Sequence, residues 1–410
     1  MVGVLWVHRA EDASVTFGLL ALITVAGLAG PLLAALPRLG LPLVVGEIAA
    51  GVLLGRTGLG WIDSGEPTTA FLSEVGFAML MFVVGTRLPL RHPGLRDSVG
   101  TTALATLMTL AFAVPAGFAL ALVGPDRPLV LAVVVATSSA AVALPILQGD
   151  TDGTDGAVTG DSAEAVGVAG ELAAAFAIGW ITLTDVSTML AVPLVLATGG
   201  LGTVLAGAGL VLLAGGAAYL PLRWLRRTDR VHALRRKSKH RGWALDLRVG
   251  LAGLFGLAAL ATVAGTSILI AGFTAGAVLA AVGEPRRLAQ QLVGVAEGFL
   301  VPLFFVVLGA RLEFGALLGS GKALLLLAGL VVAATTLHVL VAILLRRPVA
   351  VGLIATAALG VPSAVVSIGL AQGVLDAGQA AAIVSAVLAT IAVSAAGGAL
   401  LSRHAGPAPR

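Results

Sequence analysis

Phe82-Val83-Val84-Gly85-Thr86-Arg87-Leu88 recurs as Phe305-Val306-Val307-Leu308-Gly309-Ala310-Arg311-Leu312. About 225 residues also separate Val45-Gly46-Glu47-Ile48-Ala49-Ala50-Gly51-Val52-Leu53 from Ala271-Gly272-Phe273-Thr274-Ala275-Gly276-Ala277-Val278-Leu279. Apolar runs match by chance, but two separate matches at nearly one offset point to an internal duplication. Around these stretches lie about thirteen apolar segments, each long enough to span a bilayer: roughly 15–36, 40–60, 69–86, 98–124, 128–147, 166–196, 201–222, 243–263, 265–282, 293–310, 323–344, 348–371 and 377–401. The second matches the ninth and the third the tenth. An offset of seven is odd, so equivalent segments cross in opposite directions, with the seventh as linker. The expected fold is an all-α polytopic membrane protein with inverted-topology repeats. Its expected parts are a first repeat over 1–199, a linker helix and basic loop over 200–241, a second repeat over 242–402 and a short tail over 403–410.

Composition agrees. The 410 residues are 58% hydrophobic and 11% charged, with a mean hydropathy of +1.04, whereas soluble chains carry roughly a quarter charged residues. The 54 glycines suit helices that must approach closely where lipid provides no hydrophobic drive to pack them. With no cysteine, disulfides, thiolate catalysis and Cys-ligated metal are excluded. The first segment lacks a signal peptide's charged start and cleavage site and reads as a retained helix.

The high pI, near 10.3, must be read loop by loop. Arg38, Arg91, Arg96, the run Arg223 to Arg241, Arg286, Arg287, Arg346 and Arg347 all fall on one side. Asp63, Glu66, Asp126, Arg127 and Asp376 fall on the other, with Arg56, Arg311 and Lys322 as exceptions near helix ends. The positive-inside rule then puts the N-terminus outside and the C-terminus in the cytoplasm of a multi-pass cell-membrane protein. The run 223–241 has no fold around it to present to bases, so it reads as a linker meeting anionic head groups rather than a nucleic-acid site. The acidic loop 149–164 reads as a solvated linker, with a cation-collecting vestibule as the alternative.

Chemistry centres on Ile181-Thr182-Leu183-Thr184-Asp185-Val186. A carboxylate at that depth costs roughly 2.5–3.5 kcal/mol on insertion scales, so either a helix-helix polar contact or an exchangeable cation and proton must offset it. Breaks are expected in segment five at Thr137-Ser138-Ser139 with Pro145, and in segment twelve at Gly360 and Pro362. There proline removes a backbone donor, and nearby hydroxyls and freed carbonyls can serve the backbone or an ion.

LPLVVGEIAAGVLLG (41–55), SEVGFAMLMFVVGTRL (73–88), TSSAAVALPIL (137–147), LTDVSTMLAVPL (183–194) and GFLVPLFFVVLGARLEF (298–314) resemble the monovalent cation:proton antiporter-2 family, sodium/proton and potassium/proton exchangers. The resemblance runs from about 15 to 400. It implies two crossing, partly unwound helices beside a helix bearing a carboxylate pair, elevator-like alternating access and a homodimer. By position the ion-binding aspartate falls on Asp185 and its usual Asp, Asn or Gln neighbour on Thr184. One carboxylate where electrogenic members have two favours electroneutral exchange of Na⁺ or K⁺ for H⁺. The spacing from Pro145 to Asp185 exceeds the family's, with the acidic loop as the insertion.

In segment eleven the family places a Lys or Arg, and here only His338 is ionisable. It reads as a hydrogen-bonded packing residue, with a titratable partner role as the alternative. Glu47, between Gly46 and Gly51, reads as support for helix packing; Glu171 and Glu297 fall near helix ends or a cytoplasmic funnel. Arg87 and Arg311 read as interface anchors.

The expected mechanism is competition between a proton and a cation at Asp185, metal in this sense meaning transported Na⁺ or K⁺. Hydroxyls of Thr184, Thr137, Ser138 and Ser139 and carbonyls near Pro145 and Pro362 would be the other oxygen donors. No enzymatic signature, cofactor motif or channel filter is read in the chain. A sodium-coupled organic solute symporter of related fold is the alternative. The chain ends at Arg410 without a tethered nucleotide-binding module, so regulation by one is not expected.

Overall fold

The computed structural model describes residues 17–35, 42–86, 93–140, 142–143, 168–197, 201–226, 245–282 and 286–404. Pro145, Arg87, the loop 149–164 and residues 227–241 of the basic run lie outside the described residues. Among the described residues nine helices are long and apolar enough to cross a membrane, three shorter apolar helices accompany them, and an interrupted segment follows Pro128. The chain order is α1 (Phe17–Ala34), α2 (Leu43–Leu54), α3 (Pro67–Thr86), α4 (Pro93–Leu120), α5 (Pro128–Ala136), α6 (Val168–Val195), α7 (Leu201–Arg226), α8 (Leu245–Val263), α9 (Ile268–Val282), α10 (Val301–Arg311), α11 (Gly321–Leu344), α12 (Val349–Ala355), α13 (Gly360–Ala371) and α14 (Ala377–His404). These follow the expected segments closely, because in hydrocarbon a helix is what satisfies every backbone group within one segment.

Local chemistry sets several helix boundaries. Glu66 caps α3 by accepting the Thr69 amide at 2.6 Å, and Ser320 caps α11 by accepting that of Ala323 at 3.3 Å. The tenth segment begins earlier than expected, as helix Arg286–Val295, and passes through a π turn, Ala296–Leu300, before α10. Pro302 gives the reason: it has no N–H for the Gly298 carbonyl, and the widened turn, with Val301 N–H reaching Ala296, absorbs the missing bond.

The helices pack as two bundles: α1–α3 with α7–α10, and α4–α6 with α11–α14. Packing is dense within each bundle and sparse between them. The first is built on two crossings, α2 with α10 and α3 with α9. A Cβ on Gly51 would overlap the Val306 carbonyl and one on Gly309 that of Ile48, while a Cβ on Gly276 would overlap the Phe82 carbonyl and one on Gly85 that of Phe273. The same two-glycine contact thus occurs twice, once for each copy of the motif. The close approach pairs Gly51 with Gly276, one residue from the sequence alignment, which put Gly51 opposite Ala277. The flanking Val-Leu match had set that alignment, whereas the crossing selects the residue that has no Cβ.

Both expected interruptions are present, and both are buried, the setting in which irregular backbone is tolerated at membrane depth. After α5 the chain is unwound at Thr137, Ser138 and Ser139, which are 1%, 0% and 4% exposed. Helical backbone resumes as Val142 and Ala143 donate to the Ser139 carbonyl. Between α12 and α13 the chain is unwound at Ala357, Ala358 and Leu359. Gly360 and Pro362 therefore open the following helix instead of occupying the break. In a first turn Pro362 gives up only a donor that would have had no partner. Hydroxyls add second bonds to carbonyls on both sides of the break that already accept a backbone N–H: Thr356 donates to Leu353 at 2.6 Å, Ser363 to Leu359 at 2.7 Å and Ser394 to Ile354 at 2.9 Å.

Candidate cation and proton site

Asp185 lies on α6, which packs against both interrupted segments, and is 5% exposed. The first break faces it directly: the Ala140 amide points at Asp185 Oδ2, 3.4 Å away. Unwinding at 137–139 frees that N–H from the α-ladder, so a backbone dipole replaces part of the water shell that the carboxylate has lost.

Hydroxyls surround this contact. Thr184 is fully buried, with Oγ1 3.1 Å from Thr106 Oγ1 on α4. Thr188 Oγ1 lies 2.8 Å from the Thr184 carbonyl, 3.1 Å from that of Asp185 and 3.3 Å from Thr137 Oγ1. A hydroxyl has one hydrogen. If Thr188 bonds back to its own helix, Thr137 can donate to Thr188 and tie the unwound stretch to α6. Among the described residues Thr182 Oγ1 is buried without a hydrogen-bond partner, one turn from Asp185 on the same helix.

A second polar group meets the break from α11. His338 is fully buried; its Nδ1 lies 2.8 Å from the Ala334 carbonyl and its Nε2 3.2 Å from Ser138 Oγ. Trp180 of α6 packs on the imidazole at 5.7 Å between centroids, and its indole N–H donates to Thr109 at 3.1 Å. Phe176 continues the stack and carries the Arg347 guanidinium 4.3 Å above its ring.

Asp185, Thr184, Thr137 and Ser138 are thus joined around the first break, with His338 reaching it through Ser138. Ser139, buried beside them, contributes its carbonyl to the next helical turn. Glu47 is apart from this group, in the bundle of α2. It is 5% exposed, with one carboxyl oxygen unpartnered among the described residues, and it lies against Gly30, in line with a packing role. Glu297 is exposed at the π turn. Arg311 reaches the Ser64 carbonyl at 3.4 Å, and Glu171 has no described side chain.

Thr106, Thr109, Thr188 and Trp180 are site residues that the sequence reading did not single out. Thr188 alone had a signal there, lying one turn beyond Thr184 on the face of Asp185.

The Thr106–Thr184 bridge is testable by stability. Thr184→Val strands a buried hydroxyl and is expected to cost about 1–2 kcal/mol, read as a lower unfolding temperature in detergent. Adding Thr106→Val should recover most of the loss. Additive losses would show that the two hydroxyls do not depend on each other.

Among the described residues no three His, Cys, Asp or Glu side chains come together. What the fold and site define is a secondary-transporter architecture: paired bundles, two interrupted helices and, among the described residues, one buried carboxylate packed against both breaks. The chain belongs to the sodium/hydrogen exchanger family, whose transmembrane family model matches residues 20–401. It is 30% identical over 315 residues to the glutathione-regulated potassium-efflux system protein KefC of Cronobacter sakazakii, covering 76% of this chain and 48% of that protein. It is 43% identical over 68 residues to the Na⁺/H⁺ antiporter of Enterococcus hirae, 17% of each chain. The structure of the sodium proton antiporter MjNhaP1 from Methanocaldococcus jannaschii superposes with a TM-score of 0.62 at 16% identity, over 95% of this chain and 98% of that one. The motif resemblance and the all-helical antiporter fold are borne out. The chain spans about half the length of KefC.

Proposed function

We propose that this protein exchanges a monovalent cation, Na⁺ or K⁺, for H⁺ across the membrane. The observation that carries the reading is Asp185, a single buried carboxylate held against an unwound backbone stretch and ringed by hydroxyls. A carboxylate so placed must be neutralised to cross, by a proton or by a cation, and competition between the two couples their movements. Oxygen donors from Asp185, Thr184 and the 137–139 stretch suit a hard cation. The family, the antiporter relatives and the fold support the same reading.

With one carboxylate, each half-cycle carries either one cation or one proton, so the exchange is electroneutral. Sparse packing between the bundles suits an elevator in which α4–α6 and α11–α14 move together against the rest. We place the repeats at 1–199 and 242–402 with the linker between them, and the protein as a homodimer in the cell membrane. The arginine distribution orients it with the N-terminus outside and the C-terminus in the cytoplasm.

The test is dissipation of an imposed pH gradient in proteoliposomes on adding Na⁺, K⁺ or Li⁺. A response to at least one cation is expected; coupling to an organic solute instead would move the symporter reading ahead. Electroneutrality has its own check. A net charge crossing the membrane would feel about 2.3 kcal/mol per 100 mV, so an imposed 100 mV potential should leave the initial rate unchanged, and a severalfold change would refute one-for-one exchange.

A further inference from the structure

His338 is buried beside the site, and the exchange chemistry above assigns it no task. Its hydrogen bonds define one. A carbonyl can only accept, so the Ala334 oxygen at 2.8 Å requires a hydrogen on Nδ1. In the neutral ring Nε2 is then an acceptor, and the Ser138 hydroxyl, 3.2 Å away, must donate to it. The only hydrogen of Ser138 is thereby committed. Ser138 cannot donate to Asp185, and in other directions its oxygen offers lone pairs alone, the polarity that a cation requires.

The contact also holds backbone. Thr137 N–H closes the last turn of α5 and the Ser139 carbonyl opens the next turn, which leaves Ser138 between them without a backbone bond among the described residues; side chains on either side hold the stretch, Thr137 against Thr188 of α6 and Ser138 against His338 of α11. The next residue, Ala140, points its amide at Asp185. Trp180, on the same helix as Asp185, packs on the imidazole.

We propose that His338 is a positioning residue: acting through Ser138, it fixes the unwound stretch and the polarity of the Ser138 hydroxyl for cation binding at Asp185. This rests on the antiport reading.

Three variants separate it from a packing role. His338→Gln can place an amide oxygen near the position of Nε2, His338→Asn reaches only that of Nδ1, and His338→Ala offers neither. In proteoliposomes Ala and Asn should raise the apparent KM for the transported cation about tenfold, the scale of one lost hydrogen bond, with the maximal rate kept. Gln should lie near wild type. In a Ser138→Ala background, His338→Ala should add nothing. An unchanged KM in His338→Ala, equal behaviour of Gln and Asn, or additivity with Ser138→Ala would overturn the proposal.

A second measurement does not depend on transport. The imidazole ¹⁵N signals of His338, assigned by their loss in His338→Gln, should show Nε2 unprotonated and shifted by Ser138→Ala. A protonated Nε2 would overturn it. A wild type that moves no cation refutes the antiport reading, while the nitrogen signals still decide the His338–Ser138 contact.

Discussion

Asp185→Asn is expected to abolish cation-dependent dissipation of a pH gradient while leaving the protein folded. Asparagine keeps the shape of the side chain and an oxygen able to accept the Ala140 amide, the sole hydrogen bond to the carboxylate among the described residues. What it loses is the exchangeable proton and the charge that a cation replaces. The variant should therefore be at least as stable as wild type, because it removes a buried carboxylate whose insertion costs roughly 2.5–3.5 kcal/mol. Unfolding temperature in detergent and gradient dissipation in liposomes, measured on the same preparation, separate the two effects. Normal transport by this variant would move the site away from Asp185. Lost transport accompanied by a large fall in unfolding temperature would make the residue structural.

The second large effect is expected at the paired crossings. Adding methylenes to a well-packed core costs typically 1–3 kcal/mol. At Gly51 and Gly276 even the first carbon would overlap a backbone carbonyl, that of Val306 or Phe82, and a carbonyl fixed in a helix cannot rotate away. Gly51→Leu and Gly276→Leu should therefore each force the two helices apart, seen as loss of a monodisperse peak in detergent, with the alanine variants folded but less stable. Because the crossings are duplicate copies, the two positions should behave alike. A Gly276→Leu protein that elutes and melts like wild type would show that the helices separate at little cost. Gly216, whose Cβ would meet nothing within 4 Å, is the natural control and should tolerate alanine.

The break in segment twelve shows how far local signals reach. Proline and glycine located it to within a few residues, but the unwound backbone is Ala357–Leu359, and Pro362 belongs to the helix that follows. The contacts around the break come from distant parts of the chain: Ser394, which donates to the Ile354 carbonyl just before it, lies on α14, 40 residues away. His338 is similar. In sequence it reads as a hydrogen-bonded packing residue, with titration as the alternative; its bond to Ser138 spans 200 residues.

The sequence by itself determined the membrane as solvent, the spanning segments to within several residues, the repeated motif, and Asp185 as a carboxylate inside one of those segments. These follow from hydropathy, period and the cost of charge in hydrocarbon, which act along the chain. Only the tertiary structure decided which glycines meet at the crossings, where the broken helices unwind, and which hydroxyls gather about the carboxylate. Threonine is common in membrane helices, and Thr106, Thr137, Thr184 and Thr188 become one group only when α4, α5 and α6 are packed together. Their hydrogen bonds join residues far apart in the chain, and such partners are set by packing in three dimensions.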